Sequence, residues 1–140
     1  MCCRKWVPSF LIAGGAALIW AQEKPPIKYA PPENISAANA PEMFRAYCAV
    51  CHGLDGRGGG PAADALKKRP ADLTQLSRKY GGKYPALRVA NVIQGHDSQG
   101  AHGSRDMPIW GVVFRTLGDQ ATVTLRTDNL VNYVGSLQRQ

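Results

Sequence analysis

The sequence is poor in acid, in cysteine and in long apolar runs. Ten Asp and Glu stand against 17 Lys and Arg in 140 residues, a formal charge of +7. The excess is spread along the chain. Its longest cationic cluster, Lys67-Lys68-Arg69, is too short for a nucleic-acid-binding arm, so no nucleic-acid partner is expected. A basic surface of this kind suits an acidic protein or anionic lipid. No internal repeat is present. No apolar run reaches the roughly 20 residues that a membrane-spanning helix needs. Only four cysteines occur, and two of them, Cys2 and Cys3, precede the one apolar stretch. A lipoprotein cysteine would follow such a stretch, so lipidation is not read here. The other two, Cys48 and Cys51, would close only a tiny disulfide loop, which adds little stability. What is plentiful is Gly (15) and Pro (10), which points to a loop-rich fold with one core.

The N-terminus has the layout of a secretory signal. Arg4 and Lys5 are followed by an uncharged, largely apolar stretch from Trp6 to Ala21, and the next charge is Glu23. Ala21 suits the last position before cleavage. Ile19 stands where a small residue is preferred, which keeps an uncleaved anchor, and so membrane association, as the alternative. Residues 1–21 are thus a signal peptide or N-terminal anchor. Residues 22–38, with Pro25, Pro26, Pro31 and Pro32, read as a Pro-rich linker without order of its own. Residues 39–140 form the domain.

Apolar spacing in that domain is helical. Asn39 caps and Pro41 opens a first helix whose apolar face holds Met43, Phe44, Tyr47 and Val50. Gly53 to Gly60 stops it. Ala62 to Lys68 suits one or two turns, and Asp72 to Tyr80 a short helix ended by Gly81-Gly82. Leu87, Val89, Ala90 and Ile93 share a face in a helix over Pro85–Gln94, which Gly95 ends. Trp110–Leu117 and Leu125–Leu137 complete the set. Val112, Val113, Val123 and Thr124 also suit strands, but the pattern is too brief for a sheet. The fold class is all-α.

The chemistry lies in Cys48-Ala-Val-Cys51-His52. A C-x-x-C-H run in an exported chain is a covalent c-type haem attachment motif. Two thiols at this spacing reach both vinyl groups on one porphyrin edge, and the adjacent imidazole projects under the iron. A thioredoxin-like dithiol needs a βαβ context that is missing, and a structural zinc site needs a fourth ligand with no partner spacing here. His52 is therefore the expected proximal ligand of one haem c. Beyond the N-terminal segment only Met43, Met107, His96 and His102 could supply a sixth ligand. Met43 sits on the helix that enters Cys48, which favours core packing. Met107 lies in a loop and precedes Pro108, and it is the expected second axial ligand. Bis-His ligation through His96 or His102 gives a lower potential, and an open position gives a gas-binding or peroxidase-like enzyme. An axial histidine normally donates its other ring N–H to a carbonyl. Pro61 is the expected acceptor, with Pro70 as the alternative. Arg57 and Arg105 are candidates for the haem propionates, and Trp110 and Tyr84 for the pocket wall.

Taken together, Phe44-Arg-Ala-Tyr-Cys-Ala-Val-Cys-His-Gly-Leu-Asp-Gly-Arg-Gly, Gly60-Pro61-Ala62 and Met107-Pro108-Ile-Trp-Gly resemble a class I cytochrome c over about residues 40–138. Pro70-Ala-Asp-Leu-Thr adds a likeness to the haem c domains of cbb3-type oxidase subunit III. The polar segment Gln99-Gly-Ala-His-Gly-Ser departs from that pattern. The resemblance implies three to five helices around one haem, with first and last helices crossing through Phe44, Leu130 and Tyr133. It also implies His52 and Met107 as axial ligands. The expected function is one-electron transfer, as an exported carrier or an electron-entry subunit rather than an enzyme in its own right. Its expected place is periplasmic or extracytoplasmic. Its expected partners are redox proteins: a dehydrogenase, an oxidase or another cytochrome.

Overall fold

A computed structural model of the chain describes residues 32–96 and 107–139, all within one compact unit, Pro31–Gln140. Residues 1–31, with the expected signal or anchor, lie outside the described residues, as do His102 and Arg105. Every regular element among the described residues is helical. Helix α1 spans residues 40–52 in three consecutive pieces: α-helical Ala40–Met43, a π-helical turn Phe44–Cys48, and α-helical Ala49–His52. A 3₁₀ turn follows at Ala63–Ala65, and another at Leu73–Gln75 runs into α2 (Leu76–Lys79). Helices α3 (Ala86–Gln94), α4 (Trp110–Arg115) and α5 (Gln120–Ser136) complete the unit. No helix of the described residues is long and apolar enough to cross a membrane.

The ends of these helices are set by local chemistry. Asn39 accepts from the Glu42 N–H (3.3 Å), and Pro41 occupies the first turn of α1, where its missing N–H costs nothing. Asp119 caps α5 by accepting from the Thr122 N–H (2.8 Å) and hydroxyl (2.7 Å). That cap starts α5 earlier than the expected Leu125 and draws Val123 and Thr124 into the helix, so their strand preference is overridden. Gly95 ends α3 with a positive φ of 80°, a left-handed backbone that suits glycine.

Helices α1 and α5 pack through Phe44 and Tyr133, whose ring centroids are 5.1 Å apart, with Leu130 buried beside them. The resemblance placed the crossing on these three residues. Met43 is fully buried, in agreement with its reading as core. The π-helical turn changes the face that α1 presents. The Ala49 N–H bonds the Phe44 carbonyl, five residues back, so one extra residue rotates the last turn of the helix. As a result Val50, expected on the apolar face, is 47% exposed, while Ala49 and His52 turn inward. Leu87 also departs from expectation: it is 77% exposed, whereas Ile93, placed on the same face, is buried.

The end of the expected linker is fixed to the domain. Ile35 is buried in the core, and its N–H donates to the Tyr47 hydroxyl (3.1 Å). That hydroxyl donates in turn to the Glu33 carbonyl. Arg126 donates to the Ile35 carbonyl and, at 2.7 Å, to the Asn34 side chain, while Asn129 donates to the Ala37 carbonyl (2.8 Å). Proline content marked this segment as unstructured because the side chains that tie it down lie near the other end of the chain.

Candidate functional site

Cys48 ends the π-helical turn, and Cys51 and His52 occupy the last turn of α1. Both thiols are free, so the pair forms no disulfide. Burial pushes the Cys48 thiol up to about 12, with the neighbouring Cys51 adding to the rise, and burial raises Cys51 as well. A redox-active dithiol needs the opposite, a thiolate stabilised near neutral pH.

The His52 imidazole is buried, and its Nδ1 lies 3.0 Å from the Ala71 carbonyl oxygen. A carbonyl only accepts, so Nδ1 carries the proton and Nε2 keeps its lone pair. Burial lowers the His52 pKa, and the Ala71 hydrogen bond opposes that shift. The expected acceptor was Pro61, and this is corrected. Pro61 is exposed at the far end of the glycine loop, whereas Ala71, directly after the alternative Pro70, receives the bond.

The loop brings Ala71 there by capping α1. The N–H groups of Gly58, Gly60 and Ala62 donate to the carbonyls of His52 (2.7 Å), Cys51 (3.0 Å) and Val50 (2.9 Å). These are among the carbonyls that a helix C-terminus leaves without intrahelical partners. Two glycines permit so close a wrap. A Cβ on Gly60 would fall on the carbonyl oxygens of Ala49 and Val50. Gly58 combines a φ of +80° with a position where a Cβ would strike the Pro70 carbonyl. The Leu73 N–H then bonds the Gly56 carbonyl (2.7 Å), which fixes the 70–73 segment against the loop.

Two cavities meet at this site. The larger, about 200 Å³, is bounded by Tyr47, Cys51, Pro70, Ala71, Pro108 and Trp110 among others; the smaller, about 60 Å³, by Phe44, Leu76, Val89, Ile93 and Leu130 among others. Three residues line both: Cys48, His52 and Met107. Lys68, Arg69 and Lys79 edge the larger cavity, and Arg88 the smaller. No carboxylate is among the described residues lining either one. The donor set and the apolar walls fit a flat apolar cofactor that offers vinyl groups to thiols and a metal to an imidazole.

The family model for cytochrome c matches residues 37–138. The chain belongs to the cytochrome c family. No curated protein and no solved structure gives a match. As a cytochrome c it carries covalently bound haem c with its iron, and its chemistry is haem-based electron transfer. The all-α architecture agrees with that membership.

The remaining sequence-derived candidates divide clearly. In this cytochrome Trp110 lines the larger cavity, as expected. Tyr84 does not line either cavity; its hydroxyl donates to the Val131 carbonyl (2.8 Å), and its ring packs beside Gly135, which makes it a core residue. Arg57 is exposed and pairs with Asp55 (3.5 Å) rather than facing the cavities. His96 is exposed and lines neither cavity. Sequence reasoning overlooked Arg88, whose guanidinium lies 5.5 Å from the centre of the Tyr80 ring in the smaller cavity. Its position one residue after Leu87 gave no signal: the assigned face holds in Val89, Ala90 and Ile93, but Leu87 beside it is exposed.

Proposed function

We propose that this cytochrome is an exported single-haem electron carrier, or the electron-entry subunit of a larger redox complex, with His52 and Met107 as its axial ligands. The observation that carries the proposal is the shared lining: Cys48, His52 and Met107 stand in the walls of both cavities. Cys48 and Cys51 would hold the porphyrin through thioethers to its two vinyl groups. When bound, haem supplies a one-electron iron couple.

The protein's own contribution is to position, insulate and bias that couple. The Ala71 carbonyl holds the His52 proton on Nδ1, which leaves Nε2 as the ligating atom and raises its basicity. The Met107 thioether is a soft donor that favours the reduced iron and raises the potential. With His52 and Met107 both ligating, a small substrate would find no vacant coordination position, which would separate a carrier from an enzyme. Arg88, the charged side chain on the smaller cavity, would be a candidate counter-ion for a haem propionate. Lys68, Arg69 and Lys79 form a cationic rim suited to an acidic redox partner such as a dehydrogenase, an oxidase or another cytochrome.

A visible spectrum of the protein matured with the cytochrome c assembly machinery tests this reading. A sharp reduced α-band together with the weak far-red band of sulfur-ligated ferric haem is the expected result. A high-spin spectrum that responds to added gas would overturn it. Export rests on the signal-like residues 1–21, and N-terminal sequencing of the protein recovered from the periplasm distinguishes cleavage after Ala21 from a retained anchor.

A further inference from the structure

Arg126 is a buried cation in search of a role. It lies in α5 with 2% of its surface exposed, and no carboxylate among the described residues comes within ion-pair distance. Among the described residues its Nε has no hydrogen-bond partner, its Nη1 lies 3.6 Å from the Met43 sulfur, and its guanidinium sits 5.9 Å from the centre of the Phe114 ring. Burying a guanidinium without an acid is costly. The groups it does satisfy belong to one segment: the Ile35 carbonyl and the Asn34 side chain. Asn129, on the same helix, adds the Ala37 carbonyl.

The segment so held leads to the haem pocket. The Tyr47 hydroxyl accepts from the Ile35 N–H and donates to the Glu33 carbonyl, so both of its bonds end in residues 33–35. The Tyr47 ring is itself part of the larger cavity's wall and precedes Cys48 directly. It packs on Trp110 at 5.2 Å and on Phe114 at 5.6 Å between ring centres. Trp110 opens α4, which begins just beyond Met107 and Pro108. The contacts therefore run unbroken from Arg126, through the segment and Tyr47, to the start of the helix after Met107.

We propose that residues 33–37 act as a strap that keeps the Met107 side of the haem pocket closed, with Arg126 and Tyr47 as its positioning residues. The strap holds the Tyr47 hydroxyl, the ring holds Trp110, and Trp110, three residues on, limits how far Met107 moves from the iron. The proposal rests on the reading of Met107 as axial ligand. Releasing the strap raises the fraction of time in which the iron is open to an outside ligand.

The test uses imidazole as that ligand, titrated into the oxidised haem-loaded protein. Tyr47→Phe keeps the ring and removes the hydroxyl with its two hydrogen bonds; imidazole binds it roughly fivefold tighter, within the net worth of those bonds. Arg126→Gln tightens imidazole binding as well, and Arg126→Lys, which keeps one donor for the Ile35 carbonyl, restores part of the wild-type value. Arg57→Gln, a charge removal at an exposed site, leaves the affinity unchanged. If Arg126→Gln does not accumulate as folded protein, Tyr47→Phe decides alone. Imidazole affinity in Tyr47→Phe equal to wild type, with the far-red band present in both, overturns the strap while leaving Met107 ligation standing. A wild-type protein without that band overturns the ligand reading, and the strap proposal falls with it.

Discussion

The His52 Nδ1 donates to the carbonyl oxygen of Ala71 across 3.0 Å, and the two residues are 19 positions apart. Because the acceptor is main chain, no substitution at position 71 removes it directly. The bond is adjustable through whatever holds the 70–73 segment: the glycine loop, and the Gln138 amide that donates to the Leu73 carbonyl (2.6 Å).

Gly58→Ala and Gly60→Ala should therefore lower the melting temperature of the haem-loaded protein more than a typical surface change does. At Gly58 the added methyl meets both a positive φ and the Pro70 carbonyl; at Gly60 it meets the carbonyls that end α1. Such overpacking costs about 1–3 kcal/mol, and each kcal/mol is worth about 4–8 °C in a domain of this size. Calorimetry or thermal circular dichroism reads the effect. Melting within about 1 °C of wild type would show that the loop yields without cost.

Met107→Ala should leave haem attached, since both thioethers remain, but abolish the weak far-red band and lower the midpoint potential. The thioether preferentially stabilises reduced iron, so its loss favours the oxidised form. Spectroelectrochemistry on the purified variant measures both. A far-red band that persists in the variant would remove Met107 from the ligand set and point to another sulfur, Met43.

Arg88→Gln should lower the midpoint potential and leave the far-red band in place. Taking a cation from the edge of the smaller cavity relatively favours the more positive, oxidised iron. The comparison that matters is Arg57→Gln, which removes an equal charge from the exposed Asp55 pair. Equal shifts in the two variants would mean that only net charge is being read.

Charge reversal at the rim should slow anionic partners selectively. Lys68→Glu combined with Arg69→Glu reduces the rate of oxidation by ferricyanide, flattens its fall with ionic strength, and speeds oxidation by a cationic cobalt complex. Stopped-flow mixing across a salt series supplies the rates. Parallel changes with both oxidants would point to altered haem exposure instead of field.

Asp119 gives a pH dependence whose sign can be worked out. Hydrogen bonds from the Thr122 hydroxyl and N–H hold its carboxyl below the ordinary 3.8, so the folded state binds this proton less readily than the unfolded one. Its contribution is complete above that ordinary value and fades as pH falls through the depressed one. Asp119→Asn keeps an acceptor at the cap but removes the charge. The difference in melting temperature between wild type and Asp119→Asn should thus shrink on acidification below 3.8. A gap that stays constant down to acid unfolding would exclude the charged cap as its source.

Much of this molecule was legible in its sequence, for reasons that are local. The C-x-x-C-H run states its own chemistry, Asn39 and Pro41 mark where α1 begins, and Gly95 marks where α3 stops. Phe44, Leu130 and Tyr133 meet where the family pattern put them. The misses share a different cause. Choosing Pro61 over Ala71 relied on residue type, whereas the acceptor is decided by where the chain returns after the glycine loop. Treating residues 33–37 as linker relied on their composition, but order there comes from Arg126 and Asn129, about 90 residues away. Val50 was assigned to the buried face by counting 3.6 residues per turn through a stretch that does not keep that count.

That stretch has a consequence for how the motif tolerates change. One residue in an α-helix is worth about 100° of rotation. Deleting a single residue between Phe44 and Cys48 would let α1 close as an ordinary helix, and would leave Cys48, Cys51 and His52 in the same order at the same spacing. The altered chain would still read as a haem-attachment site letter by letter. Its thiols and imidazole would face another direction, because the aim of the motif is written upstream of it.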